Sequence, residues 1–208
     1  MQRRAFLAGV ACTGLAACGS GEPVWAPDDV VRAKAFRGTG PKSLTLYTMK
    51  STDSGSGAHT ALLVDASQRV MFDPAGTFGH PTIPERNDVL FGFNPRVEQY
   101  YASYHARETF YIISQRVVVS PQVAEQALQL VMSNGPVAKA NCTRATSAIL
   151  RRLPGFGGLP QTWFPNTLSE GFAQLPGVET AEYRESDSDD KALAAQQIDM
   201  QIRAAQSQ

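Results

Sequence analysis

The first eighteen residues, MQRRAFLAGVACTGLAAC, decide how many cysteines the folded chain can use. Arg3 and Arg4 form a short positive stretch, residues 5–17 are apolar but too few to span a bilayer, and small residues lead up to Cys18. This is the layout of a secretory signal, so residues 1–17 are expected to be cut away and to take no part in the fold. Of the three cysteines, Cys12 leaves with the signal and Cys18 becomes the first residue of the mature chain. Cys142 then stands alone in the body of the protein. A secreted chain meets an oxidising compartment, where structural cysteines are usually paired. An unpaired Cys142 is either a reactive thiol or intermolecular bridge, or a buried residue acting as a small hydrophobe. Residues 18–208 suffice for one domain with a full core, which must do the holding.

Leu15-Ala16-Ala17-Cys18 resembles a bacterial lipobox, and Arg3-Arg4-Ala5-Phe6-Leu7 resembles a twin-arginine export signal. The alternative is an ordinary secretory signal with a chance cysteine. The lipobox resemblance implies a lipid on Cys18 that anchors the chain to a membrane of the cell envelope, on its periplasmic or extracellular face. No second apolar run approaches spanning length, so lipid alone would hold the protein there. Residues 18–40, rich in Gly, Pro and charge, read as the tether. The formal charge is zero, from 19 basic and 19 acidic residues, and nothing is basic enough to suggest a nucleic-acid partner. Residues 179–208 carry seven acidic and three basic residues and are expected to be a partly disordered or loosely helical tail.

Residues 41–178 carry the domain. Residues 43–49 alternate as a strand, 58–64 read as a buried strand, and 68–73 return after a tight turn at 65–67. Residues 77–94 are loop-like, 96–106 suggest a short tyrosine-rich helix, and 109–119 are strongly β-forming. Ser120-Pro121 opens a helix that should stop near Asn134-Gly135-Pro136. A second helix starts near Asn141 and a third follows Pro165. The class is α+β, a small antiparallel sheet packed with several helices.

Three residues stand out chemically. Cys142 lies where a helix is expected to begin, and unpaired N–H groups there favour a thiolate. His59 sits early in a strand after the glycine-rich loop 51–57 and is a candidate proton carrier. Asp73 ends the returning strand, and similar offsets from the turn bring it near His59, where a carboxylate can orient an imidazole. Taken singly, His59 is equally a strand-end residue without a role, and Asp73 before Pro74 a turn residue. Together they fit a Cys-His-acid triad, recognised by roles rather than chain order. His80 and His105 are further candidates for base or third residue. Asn141 is a helix cap or an oxyanion donor. Tyr100, Tyr101, Tyr104, Trp163 and Phe164 belong to the core or line a cleft, with Tyr101 and Trp163 the candidates for substrate contact. No spacing supports a zinc site.

The order of these motifs carries a family resemblance. Gly57-Ala-His-Thr-Ala-Leu-Leu-Val64, Val70-Met-Phe-Asp-Pro-Ala-Gly76 and Asn141-Cys-Thr-Arg-Ala-Thr-Ser-Ala-Ile-Leu150 resemble the His strand, the following polar strand and the Cys helix of the circularly permuted NlpC/P60 branch of papain-like proteins. That branch includes the lecithin:retinol acyltransferase-like proteins. The resemblance covers residues 43–175, with Asp73 where the family more often has His, Asn or Gln and an apparent insertion at 77–108. It implies a permuted papain-like fold and a cysteine hydrolase without cofactor. Cys142 would be the nucleophile, His59 the base and Asp73 the orienting group, acting on peptide amide bonds of peptidoglycan. The alternatives are a lipid acyltransferase or thioesterase on the same fold, and a non-catalytic envelope lipoprotein that binds a wall fragment or protein partner.

Overall fold

The computed structural model describes residues 21–206. The signal segment and Cys18 lie outside them. A seven-stranded, wholly antiparallel sheet runs in the order β4-β5-β3-β2-β1-β6-β7. Its strands are β1 (Ser43–Ser51), β2 (Gly57–Asp65), β3 (Arg69–Phe72), β4 (Glu85–Arg86), β5 (Val89–Leu90), β6 (Phe110–Val118) and β7 (Glu179–Tyr183). Six helices accompany it: α1 (Asp28–Lys34), α2 (Pro95–His105), α3 (Pro121–Met132), α4 (Cys142–Leu150), α5 (Pro165–Ala173) and α6 (Lys191–Gln206). The architecture is therefore α+β.

Successive side chains of a strand point to opposite faces, and here both faces are buried. Leu44, Leu46, Leu62, Val64, Val70 and Phe72 enter one core with α3, α4 and α5. Tyr47, Met49, Ala61, Leu63 and Met71 enter a second core with the tyrosines of α2 and with Ala194 and Ile198 of α6. Double burial explains why β2 reads as a continuous apolar run rather than an alternating one. α3 begins as its residues dictate: the Ser120 hydroxyl accepts from the Val123 N–H and Pro121 fills the first turn.

Three stretches differ from the sequence expectation. The tether at 18–40 contains α1, which buries Val31, and Trp25 bridges Arg86. The loop-like stretch 77–94 contains the β4–β5 hairpin, whose turn residues Asn87 and Asp88 both have positive φ, at 45° and 67°. That is the primed turn that matches strand twist, and Asn and Asp tolerate it. The tail, expected to be partly disordered or loosely helical, carries a strand and a helix among its described residues. β7 pairs with the outer edge of β6 over five residue pairs, and α6 docks on α2.

Candidate active site

The triad assembles around one end of β2. His59 is the third residue of that strand and pairs across β1 with Met49. Asp73 follows β3 directly, and Pro74 prevents the strand from continuing. The β2–β3 ladder sets Leu62 opposite Phe72, so Asp73 falls across from Ala61 and diagonal to His59 rather than opposite it. Pairing is displaced by two residues from the equal-offset expectation. A displacement of two keeps both side chains on the same face, whereas a slip of one would have parted them. His59 Nε2 donates to Asp73 Oδ1 at 2.6 Å.

Asp73 is held from several directions. The Tyr101 hydroxyl donates to the same Oδ1 at 2.8 Å. The Asp73 N–H donates to the Asp88 carbonyl at 2.8 Å, and its own carbonyl accepts from Gly76 N–H at 3.0 Å. A Cβ at Gly76 would overlap the Asp73 carboxylate, so only glycine lets the turn close here. The carboxylate is 4% exposed.

Cys142 arrives from the opposite sheet face as the first residue of α4, where N–H groups of the opening turn lack intrahelical acceptors. α4 is located by Thr143, whose Oγ1 lies 2.9 Å from Thr60 Oγ1 of β2. The His59 ring lies close enough to the thiol to draw its pKa down. Asp73 occupies Nε2, so Nδ1 is the nitrogen left for sulfur. Thr143 Oγ1 lies 3.8 Å from the sulfur. The Thr60 backbone N–H is near enough to favour the thiolate as well.

These contacts set the charges. Burial pushes the His59 imidazole down, but the Asp73 carboxylate, its hydrogen bond and Cys142 outweigh burial and raise it to about 10. Burial pushes the Cys142 thiol up, and the His59 hydrogen bond and charge, with Thr143 and Thr60, bring it below its ordinary value. Asp73 is likewise pushed up by burial and drawn down on balance by His59, His105 and Tyr101. The arrangement favours a thiolate beside an imidazolium, the state in which sulfur is nucleophilic.

The remaining candidates divide. Tyr101 does not line a cleft: it is fully buried, and its hydroxyl is spent on Asp73. Asn141 does not cap α4 with its side chain; its Nδ2 donates to the Lys139 carbonyl at 3.0 Å. Trp163 is 56% exposed beside the Arg144 guanidinium, which lies 5.1 Å from its ring, and shares a groove with Asn141. His80 is engaged elsewhere, with Asp199 of α6. His105 stacks on His59 at 6.1 Å and donates Nδ1–H to the Tyr101 carbonyl at 2.9 Å. Tyr100 belongs to the core, Tyr104 to the core and to the pocket beside His59, and Phe164 is exposed.

Cys142 is 8% exposed, and His59, with its side chain 17% exposed, is the member of the trio that lines the adjoining pocket. That pocket, of about 330 Å3, is bounded by Met49, Thr77, Tyr104, His105, Arg107 and Lys191 among others.

Asp88 is a residue that sequence reasoning passed over. Its Oδ1 accepts from Ala75 N–H at 3.0 Å and its Oδ2 from Val137 N–H at 2.7 Å. It therefore ties the loop after Asp73 to the loop before Cys142. The only sequence signal was the Asn87-Asp88 pair in a stretch broken by Pro and Gly. Compared with known proteins, the chain matches no family model, no curated protein and no solved structure.

Proposed function

We propose that this protein is a cell-envelope lipoprotein with cysteine hydrolase activity, acting on peptide amide bonds of peptidoglycan through Cys142, His59 and Asp73. The observation that carries the reading is the relay itself: a carboxylate on His59 Nε2 at 2.6 Å, and a thiol that the same imidazole draws below its ordinary value. In this reading the Cys142 thiolate attacks the substrate carbonyl carbon. The carbonyl electron pair moves to oxygen, which N–H groups at the start of α4 hold. Collapse breaks the C–N bond, and His59 Nδ1–H protonates the departing amine. Water then attacks the thioester, giving a proton to His59 and restoring the thiolate–imidazolium pair as the acid leaves. Asp73 keeps Nε2 protonated throughout and fixes the ring plane. The order of the His and Cys motifs along the chain, with the lipobox-like Cys18, supports the placement in the permuted papain-like class and in the envelope.

The test is turnover of muropeptides by the mature chain. New amine and carboxyl ends should appear with the parent and vanish with Cys142→Ala. A second reading, a binding lipoprotein without catalysis, is favoured by one observation, the 8% exposure of Cys142. It expects Cys142→Ala to bind the same fragments as the parent, and the parent to cleave none.

A further inference from the structure

Gly21 lies against the loop that precedes Cys142. The Gly21 backbone packs so closely on the Val137 backbone that a Cβ at 21 would lie 2.6 Å from the Val137 carbonyl oxygen. The following residues are held by a single bridge at Trp25 and Arg86: Asn87 N–H donates to the Val24 carbonyl at 3.0 Å, and Ala26 N–H donates to the Glu85 carbonyl at 2.9 Å. Only three peptide units separate Gly21 from Cys18, a reach of at most roughly 11 Å. Whatever holds Cys18 therefore holds the Val137 face close to it.

That face is built in a way suited to a membrane surface. Val137 lines a groove of about 650 Å3 with Pro136, Ala138, Arg144 and Trp163, and no acidic residue contributes to its lining. Trp163 is 56% and Phe164 70% exposed, an unusual pair to leave in water side by side. Lys139 is exposed on the same loop. Aromatic rings settle at the headgroup level of a bilayer, and lysine and arginine beside them attract anionic lipid.

We propose that this groove lies on the anionic phospholipid surface to which the Cys18 lipid tethers the chain, with Trp163 and Phe164 in the headgroup layer and Arg144 and Lys139 facing lipid phosphate. The proposal rests on the lipid-anchor reading of Cys18. Asn141, the neighbour of Cys142, lines the same groove, so one flank of the thiol site faces the membrane. A single lipid chain gives only marginal binding, and such a patch supplies a second point of attachment.

The experiment uses the full chain, produced with its signal, purified in detergent and reconstituted into vesicles of phosphatidylcholine with phosphatidylglycerol. The chain has two tryptophans, so Trp25→Phe leaves Trp163 as sole reporter. Brominated acyl chains should quench most of the Trp163 emission and shift the remainder to the blue. Arg144→Glu in the same background should relieve the quenching. A Trp163→Phe variant, reporting Trp25 alone, gives the reference for a residue outside the groove. Mass measurement of the N-terminal peptide runs in parallel. A Cys18 without diacylglycerol overturns both the anchor reading and this proposal. A lipidated Cys18 with Trp163 unquenched overturns this proposal alone. A blue shift that grows with protein concentration in detergent, without quenching in vesicles, overturns it in favour of a second copy of the chain on the groove. None of these readouts depends on Cys142 being catalytic.

Discussion

His59 and His105 lie face to face, with ring centroids 6.1 Å apart and planes 9° from parallel, yet their pKa values are driven in opposite directions. Burial pulls both imidazoles toward neutrality. At His59 the Asp73 carboxylate reverses that pull and carries the ring to about 10. At His105 burial comes first; the Asp73 carboxylate pulls this ring up too but makes no hydrogen bond to it, the charged His59 and Lys191 add to burial, and the ring falls to about 4. Depth is shared by the two histidines. A single buried carboxylate at Nε2 separates them and selects the one able to carry a proton for Cys142.

Removing that carboxylate should collapse the difference. In Asp73→Asn, His59 should lose its charge at neutral pH and the Cys142 thiol should move up toward its ordinary value. Muropeptide turnover should then fall by about 10²- to 10⁴-fold, the span of a general-base contribution. Turnover within a few-fold of the parent would mean that His59 does not depend on Asp73.

The pair also predicts opposite limbs of stability against pH. His59 is raised from 6.5 to about 10, so its contribution is complete below pH 6.5 and is lost as pH rises through about 10. His105 is lowered from 6.5 to about 4, so the unfolded chain binds the extra proton in between, and stability falls as pH drops from 6.5 toward 4. Urea midpoints should decline over that acid window in the parent and stay flat in His105→Phe, which keeps an aromatic ring on His59. An acid limb unchanged in the variant would assign it to the carboxylates instead.

The smallest effect concerns Tyr101, which gives Asp73 a second donor. Tyr101→Phe removes that donor and leaves the ring packing. It should cost about 1 kcal/mol of stability, the net worth of one hydrogen bond, and lower turnover only a few-fold because the His59 bond to Asp73 persists. A loss as large as that of Asp73→Asn would show that Tyr101 rather than His59 fixes the carboxylate.

The parts of this site that were legible in the sequence are those written locally. The tight turn read at 65–67 and the apolar run of β2 brought His59 and Asp73 near each other, and they share a face because parity survives a register displaced by two residues. Cys142 at a helix start could be read from the apolar repeat of α4. What escaped was written in tertiary contacts. Every residue of β7 is exposed, so no alternation marked it, and it exists through backbone pairing with the free edge of β6. α6 buries only Ala194 and Ile198 among residues 191–200, a stripe too thin to outweigh its polar composition. Tyr101 looked like a cleft residue because nothing in sequence shows that its hydroxyl meets a carboxylate 28 positions earlier. Asp88 clamps two loops through N–H groups at 75 and 137, a role that exists only once the sheet has formed.

The central claim is that His59 activates Cys142. The most direct test is the rate of iodoacetamide alkylation against pH, in the mature chain carrying Cys18→Ser so that Cys142 is its only thiol, and in the same chain with His59→Ala. The account predicts a rate midpoint well below the free-thiol value of about 8.5, moving upward when His59 is removed. A thiol that is inert, or that titrates at the free value in both proteins, would contradict it.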